Sequence, residues 1–126
     1  MSVIDLIIRI KNGYMAKREQ VDSPYSKYRE SVVRKLKELG YIEDYRIEGE
    51  IIRTIQIDLR YVDGTPAITD VKIFSTSGRR MYKPYGEIGS VKGGMGNALI
   101  SSSKGIVTDR EAKKQQVGGE LLFHIW

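Results

Sequence analysis

Residues 100–112 read ISSSKGIVTDREA, and the parsing of this stretch decides the architecture of the second half of the chain. An isoleucine gives way to three hydroxyls, a lysine and a glycine; the apolar pair Ile106 and Val107 follows; Thr108 then stands three residues ahead of Glu111. A threonine and a glutamate at that spacing can each satisfy the other's orphan backbone N–H, so Thr108 starts a helix. Residues 97–101 and 106–108 are short strands on either side of a hydroxyl-lined loop. The helix stops at Gly118-Gly119, and 120–126 returns as a terminal strand.

Upstream, residues 84–96 carry five glycines and a proline around Ile88 and Val91, which leaves room for at most one short helical turn. Residues 71–74 and 79–82 flank Ser75-Thr76-Ser77-Gly78 and read as the arms of a hairpin. The run Val62-Asp63-Gly64-Thr65-Pro66 is a turn and marks a lobe boundary. Everything after it is mostly β.

The first half has a different texture. Ser2 with Asp5 resembles a capping box, and Val3, Ile7, Ile10 and Tyr14 share one helical face before Asn12-Gly13 weakens the pattern. An extended piece at 20–22 leads to Pro24, and Ser26 caps a second helix whose apolar face is Tyr28, Val32, Leu36 and Leu39. Gly40, as a left-handed residue, ends that helix and returns Tyr41 against Leu36, with Lys35 and Lys37 placed for the negative end of the dipole. Strands at 41–48 and 51–61 are joined through Glu48-Gly49-Glu50. In the second, Ile55, Ile57, Leu59 and Tyr61 alternate with Thr54, Gln56, Asp58 and Arg60. The fold class is α+β in two lobes: an α/β lobe over 1–64 and a mostly β lobe over 65–126.

Composition narrows the chemistry. The 126 residues contain no cysteine and one histidine, so disulfides, thiolate metal sites and cysteine catalysis are excluded, and His124 cannot build a metal site alone. No apolar run approaches the length of a bilayer span, no signal-peptide pattern opens the chain, and no cofactor motif is present: Gly93, Gly94 and Gly96 do not form a dinucleotide fingerprint, because Leu99 occupies the third glycine position. The net charge is +5. Lys72, Arg79, Arg80, Lys83, Lys92 and Lys104 stand against the single acid Glu87 between positions 72 and 104, so this one region holds the whole surplus. A local surplus of that kind faces a polyanion or simply solubilises a surface.

Two chemistries compete for the hydroxyl loop. Ser101 and Lys104 have the spacing of the serine-lysine pair of penicillin-recognising acyltransferases, but that chemistry needs the serine at a helix start, and neither companion motif occurs. The binding reading fits better. Ser101, Ser102 and Ser103 can approach a sugar-phosphate backbone closely, Lys104 supplies charge, and Gly105 supplies a turn that a side chain would block. Tyr82, between Arg79-Arg80 and Lys83, either stacks on an unpaired base or packs within its strand. In the front lobe, Arg9, Lys11, Lys17, Arg18, Arg34, Lys35 and Lys37 lie among acids and read as a solvated face. Lys27 and Arg29, at the amino end of the second helix, oppose the dipole preference, which hints at a phosphate partner.

These residues carry a resemblance. SSSKGIVTDREA followed by VGGELLFHIW, preceded by SGRRMYK and GMGNALIS, is similar to the bacterial form of the eighth ribosomal protein family of the small subunit. IIRIKNG, SPYSK and ELGYIEDY agree with that family's first helix, second-helix start and following strand. The resemblance implies a non-enzymatic protein of the ribosome, cytoplasmic or organellar, that binds the central domain of small-subunit ribosomal RNA early in platform assembly. By motif match, Ser101, Ser102, Ser103, Lys104 and Gly105, with Tyr82 nearby, would read the distorted core of an irregular RNA helix, and Asn12, Ser26 and Lys27 would lie against a second RNA segment. It further implies the fifth and twelfth small-subunit proteins as neighbours and, in some members, repression of the protein's own messenger RNA. Gly89 replaces a usual proline, and Lys92 and Asn97 stand where apolar residues are common.

Overall fold

The computed structural model describes residues 3–126 as two compact units, 3–68 and 69–126. The capping box expected at Ser2 lies outside the described residues. In the first unit, α1 (Val3–Met15), β1 (Gln20–Pro24), α2 (Lys27–Leu39), β2 (Asp44–Glu48) and β3 (Thr54–Asp58) are followed by the small hairpin of β4 (Tyr61–Val62) and β5 (Thr65–Pro66). The antiparallel sheet runs in the order β1-β3-β2. Asp63 and Gly64, at the tip of the β4–β5 hairpin, both have positive φ, at 52° and 79°, the backbone a tight two-residue hairpin turn demands. Gly64 therefore turns a hairpin whose returning strand is followed by Ile68, the last residue of the unit.

Helix α1 runs through Asn12-Gly13 to Met15. Gly13 stays because its Cα faces Val21: a Cβ there would stand 2.3 Å from Val21 Cγ1. Tyr14 is buried; its hydroxyl donates to Tyr41 O at 2.6 Å and accepts from Arg60 N at 3.0 Å. One phenol thus ties α1 to the chain after α2 and to the chain after β3. Burial raises its pKa, because the charged phenolate would lose its water.

Helix α2 begins and ends as its sequence expects. Ser26 accepts from Arg29 N at 3.0 Å. Gly40, at φ 84°, donates to Lys37 O, while Tyr41 N donates to Leu36 O at 2.9 Å, a Schellman closure. The buried stripe differs from expectation. Tyr28 is exposed and Leu39 half-buried, whereas Arg29, Val32, Val33 and Leu36 are buried. The i, i+3, i+4, i+7 face thus carries an arginine in its first position. Arg29 is only 2% exposed: its guanidinium donates to Ser23 Oγ and to Asp5 Oδ2, the latter at 3.2 Å. Its charge is consumed inside the unit, which corrects the expectation that it faces an outside phosphate. Asp5 is held below the usual carboxylate range by hydrogen bonds from Arg9 and then Arg29.

The second unit contains β6 (Val71–Ile73), β7 (Tyr82–Lys83), β8 (Asn97–Ser102), β9 (Gly105–Thr108), α3 (Asp109–Gln115) and β10 (Gly119–Ile125). Its sheet runs β6-β10-β8-β9, with β7 also on β10. Of the expected hairpin between 71–74 and 79–82 only the tip forms: Thr76 and Arg79 exchange backbone hydrogen bonds at 2.9 and 3.2 Å around Ser77-Gly78, while the arms do not pair with each other. Both segments pair with β10 instead, β6 at Phe123–Ile125 and β7 at Gly119–Glu120. They form one interrupted edge, and 76–80 loops out between them. Ser75 closes the neck of this excursion: its buried hydroxyl accepts from Met81 N at 2.8 Å. The glycine-rich segment holds two 3₁₀ turns, Tyr85–Glu87 and Lys92–Gly94, where one was expected. Ile88 and Val91 anchor it in a core with Ala98, Ile100, Val107, Ala112 and Leu121.

Both halves of the capping box on α3 are present: Thr108 accepts from Glu111 N, and Glu111 accepts from Thr108 N. The left-handed residue after the helix is Gln116, at φ 55°, not a glycine. Gly118 and Gly119 answer to crowding instead. A Cβ on Gly118 would stand 2.5 Å from Lys83 O, and one on Gly119 2.2 Å from Ser101 O.

Replacing Arg29 by methionine should lower stability by about 1–3 kcal/mol, the range for losing charge-assisted hydrogen bonds at a buried group. The same change at Arg34, whose pair with Glu30 is exposed on the arginine side, should shift the midpoint far less, because solvent screens the pair. Urea unfolding of the two variants checks the difference.

Candidate nucleic-acid interface

The candidate site is built on one lateral row of the second sheet. Glu120 of β10 pairs with Tyr82 of β7 on one side and Ser101 of β8 on the other, and Ser101 pairs in turn with Ile106 of β9. Directly opposed residues of antiparallel strands project from the same face, so Tyr82, Glu120 and Ser101 stand side by side. Neighbouring strands lie about 4.8 Å apart, which sets Tyr82 and Ser101 about 10 Å from one another. The residues one step along, Ile100, Val107 and Leu121, belong to the core on the opposite face. Period two thus separates the apolar set from this row, in which Tyr82 is exposed, Ser101 half-buried and Glu120 buried.

Beyond the row, β8 and β9 close through Ser103-Lys104. Ser102 maintains the turn: its hydroxyl accepts from Lys104 N at 3.1 Å and donates to Gly105 O at 2.9 Å. Gly105 has φ 98° with nothing near its missing Cβ, so backbone conformation, not crowding, requires glycine there. Ser103 and Lys104 are exposed, and neither side chain has a hydrogen-bond or ionic partner among the described residues. Ser101 lies within a strand and Lys104 in the turn itself. That placement is not the helix-start geometry a serine-lysine nucleophile needs.

The electrostatics separate cations already engaged from those left over. Lys72 sits over the Phe74 ring at 5.3 Å and Lys92 over Trp126 at 4.5 Å. Arg80 pairs with Glu120 Oε2 at 3.2 Å. Arg79, Lys83 and Lys104 have no carboxylate partner among the described residues. Arg79 on the 76–80 excursion, Lys83 next to Tyr82 on β7 and Lys104 at the hydroxyl tip thus have neither a carboxylate nor a ring partner among the described residues, while Lys72 and Lys92 keep their charge over the rings. Tyr82 is 70% exposed, so its ring is not part of the packed core and has an open face for stacking.

Of the residues singled out by sequence, Tyr82 and Ser101 share the row, Arg80 reaches it through Glu120, and Lys83, the next residue of β7, projects from the other face of that strand, with Ser102, Ser103, Lys104 and Gly105 continuing from the row and Arg79 on the adjoining excursion. Asn12, Ser26 and Lys27 belong to the first unit. Asn12 lines a groove of about 450 Å³ with Arg9, Gly13, Ala16, Arg18, Val21 and Asp22. Ser26 and Lys27 do not line it. The Ser26 oxygen is occupied as a helix cap, and Lys27 is exposed at the first position of α2.

Sequence reasoning missed Glu120, the hinge of the row, because only the register reveals that it separates Tyr82 from Ser101. It also missed the exposed cations Lys113 and Lys114 at the carboxyl end of α3, which suit the helix dipole there. Among the described residues no cluster of histidines and carboxylates could hold a metal, and no helix is long and apolar enough to cross a membrane.

Comparison with known proteins supplies an independent line. The family described as Ribosomal protein S8 matches residues 2–126. A small ribosomal subunit protein uS8 from Dictyoglomus thermophilum is 46% identical over 125 residues, covering 98% of this chain and 95% of that protein. The uS8 protein of Alcanivorax borkumensis is 40% identical over 124 residues, with the same coverage of 98% and 95%. That of Neisseria meningitidis serogroup B is 42% identical over 120 residues, 95% of this chain and 92% of its own.

The row depends on the close approach of β10 to both neighbours. Gly119→Ala should therefore destabilise the chain by about 1–3 kcal/mol, as overpacking against backbone does, whereas Tyr82→Ala should stay within about 0.5 kcal/mol of the parent because the ring is largely exposed. Thermal unfolding monitored by circular dichroism compares the two.

Proposed function

The chain belongs to the ribosomal protein S8 family, and from that membership we propose that it is a structural constituent of the small ribosomal subunit that binds small-subunit ribosomal RNA directly through the second unit. It is not an enzyme. The observation that carries the reading is the row Tyr82–Glu120–Ser101 leading into the unpartnered tip Ser103-Lys104. An exposed aromatic ring, hydroxyls and cations lie within reach of one RNA segment, on a rigid sheet.

The division of labour follows from the chemistry. Arg79, Lys83 and Lys104 neutralise phosphates and release counterions, which supplies affinity without regard to sequence. Ser101 and Ser103 offer donors and acceptors to 2′-OH groups and base edges, and Tyr82 offers a stacking surface for a base displaced from its helix. A regular A-form duplex keeps its bases stacked and its major groove closed to side chains, so the site suits an irregular helix with splayed bases. The target is the central domain of small-subunit RNA, bound early in platform assembly. In the first unit, Asn12 and Lys27 face a second RNA segment, while Ser26 serves chiefly as the cap of α2. The fifth and twelfth small-subunit proteins are its neighbours, and a mimic of the ribosomal site on its own messenger RNA would be held by the same row.

Ser103→Ala and Lys104→Ala should each weaken binding to the irregular central-domain helix by about 1–3 kcal/mol, and Lys104→Ala should also lower the slope of log K against log salt by about one. Tyr82→Phe should bind like the parent and Tyr82→Ala should lose about 1–3 kcal/mol, the range for one stacked base. Filter binding at several salt concentrations, with unfolding midpoints as the control, reads all four. Unchanged affinity across the set would remove the row and its tip from the interface.

A further inference from the structure

A second surface of the first unit has no place in this RNA-binding account. The loop joining β2 to β3 ends in Ile51 and Ile52, which are 96% and 85% exposed. Single exposed apolar side chains are ordinary on a protein surface, but two consecutive isoleucines raised on a hairpin tip are not. No short-range need of the turn explains them, since a hairpin loop is served by small polar residues.

The tip is built to be held still. Gly49, at φ 94°, lets the backbone double back so closely that a Cβ there would stand 2.1 Å from Ile52 O. At the base of the loop, Tyr25 N donates to Arg53 O at 3.1 Å, and the Arg53 guanidinium lies over the Tyr25 ring at 4.4 Å. The isoleucines are thus presented on a closed turn fastened to the end of β1, and little ordering remains to be done when something meets them.

Charge indicates what that something is. Glu48 and Glu50 flank the tip and both are exposed; Glu48 has only a 3.5 Å contact with Arg46, and Glu50 has no partner among the described residues. The one cation of the loop, Arg53, is turned back onto Tyr25. An acidic, apolar knob repels phosphate and offers nothing to a base edge, so it is unsuited to RNA. It suits an apolar socket edged with lysine or arginine.

We propose that Ile51 and Ile52 form a docking knob for a protein partner, entering an apolar socket whose rim carries basic residues that meet Glu48 and Glu50. The knob belongs to the first unit and the row to the second, and the test of one does not rest on the other. The test places p-benzoylphenylalanine at position 52, or at position 103 as the RNA-facing control, in the full chain inside the cells that make it, followed by irradiation and mass spectrometry of the adducts. The expected result at position 52 is an adduct with one protein, at a peptide combining apolar residues with lysine or arginine. The double variant Ile51→Ser, Ile52→Ser should then bind that purified protein at least tenfold more weakly, with its unfolding midpoint and RNA affinity unchanged. Adducts at position 52 with RNA or with a second copy of the chain, no adduct at all, or a protein adduct whose affinity the double variant leaves intact would overturn the proposal. The adduct at position 103 reports on the RNA reading separately.

Discussion

In the second unit β10 enters its sheet at Gly118-Gly119 with no room for a methyl group on either residue. A Cβ on the first would meet Lys83 O, and one on the second Ser101 O. Two successive glycines therefore let one strand draw β7 and β8 in from opposite sides at the same level. The register that results puts Tyr82, Glu120 and Ser101 in line. Local conformational preference explains none of this, since the left-handed position after α3 is filled by Gln116. The glycines serve a distance, and the distance sets the spacing of the row Tyr82–Glu120–Ser101.

Much of the architecture is legible in short stretches, because it rests on local bonds. The Thr108/Glu111 reciprocal cap, the Ser26 cap and the left-handed Gly40 each involve partners within five residues, and the residue types name the geometry. The alternation of Ile55 and Ile57 with polar neighbours likewise reveals a strand with one buried face. The edge of the second sheet is different. Residues 71–73 and 82–83 look like a hairpin because a turn-rich run separates them, yet each finds its partner near the carboxyl end of the chain. Nothing local reveals that the hairpin closes only at its tip, between Thr76 and Arg79, while both arms pair with β10. Arg29 was misread for a related reason. Its charge looks external until Asp5 and Ser23, brought in from α1 and β1, are seen to satisfy it.

The candidate site divides along the same line. Its hydroxyl tip was legible because Ser101 to Gly105 are contiguous and Gly105 announces a positive φ. Which cations remain available was not, since that depends on where Phe74, Trp126 and Glu120 fall in space. Charge counting treats six basic residues alike, whereas the folded unit holds two over aromatic rings, pairs one with a carboxylate and leaves Arg79, Lys83 and Lys104 free of carboxylates among the described residues. Only Arg80 has its charge offset by a carboxylate; the rings fix where Lys72 and Lys92 lie without neutralising them.

The proposed RNA contact distinguishes distorted RNA from regular RNA, as opposed to a basic surface that attracts any polyanion. The most direct measurement compares affinity for the irregular central-domain helix with that for an equally long duplex whose irregular pairs are replaced by Watson–Crick pairs, across a range of salt. The expected result is a loss of about tenfold or more on regularisation with the salt slope unchanged, because the phosphate contacts survive while those of Tyr82, Ser101 and Ser103 do not. Equal affinity for the two RNAs at every salt concentration would contradict it.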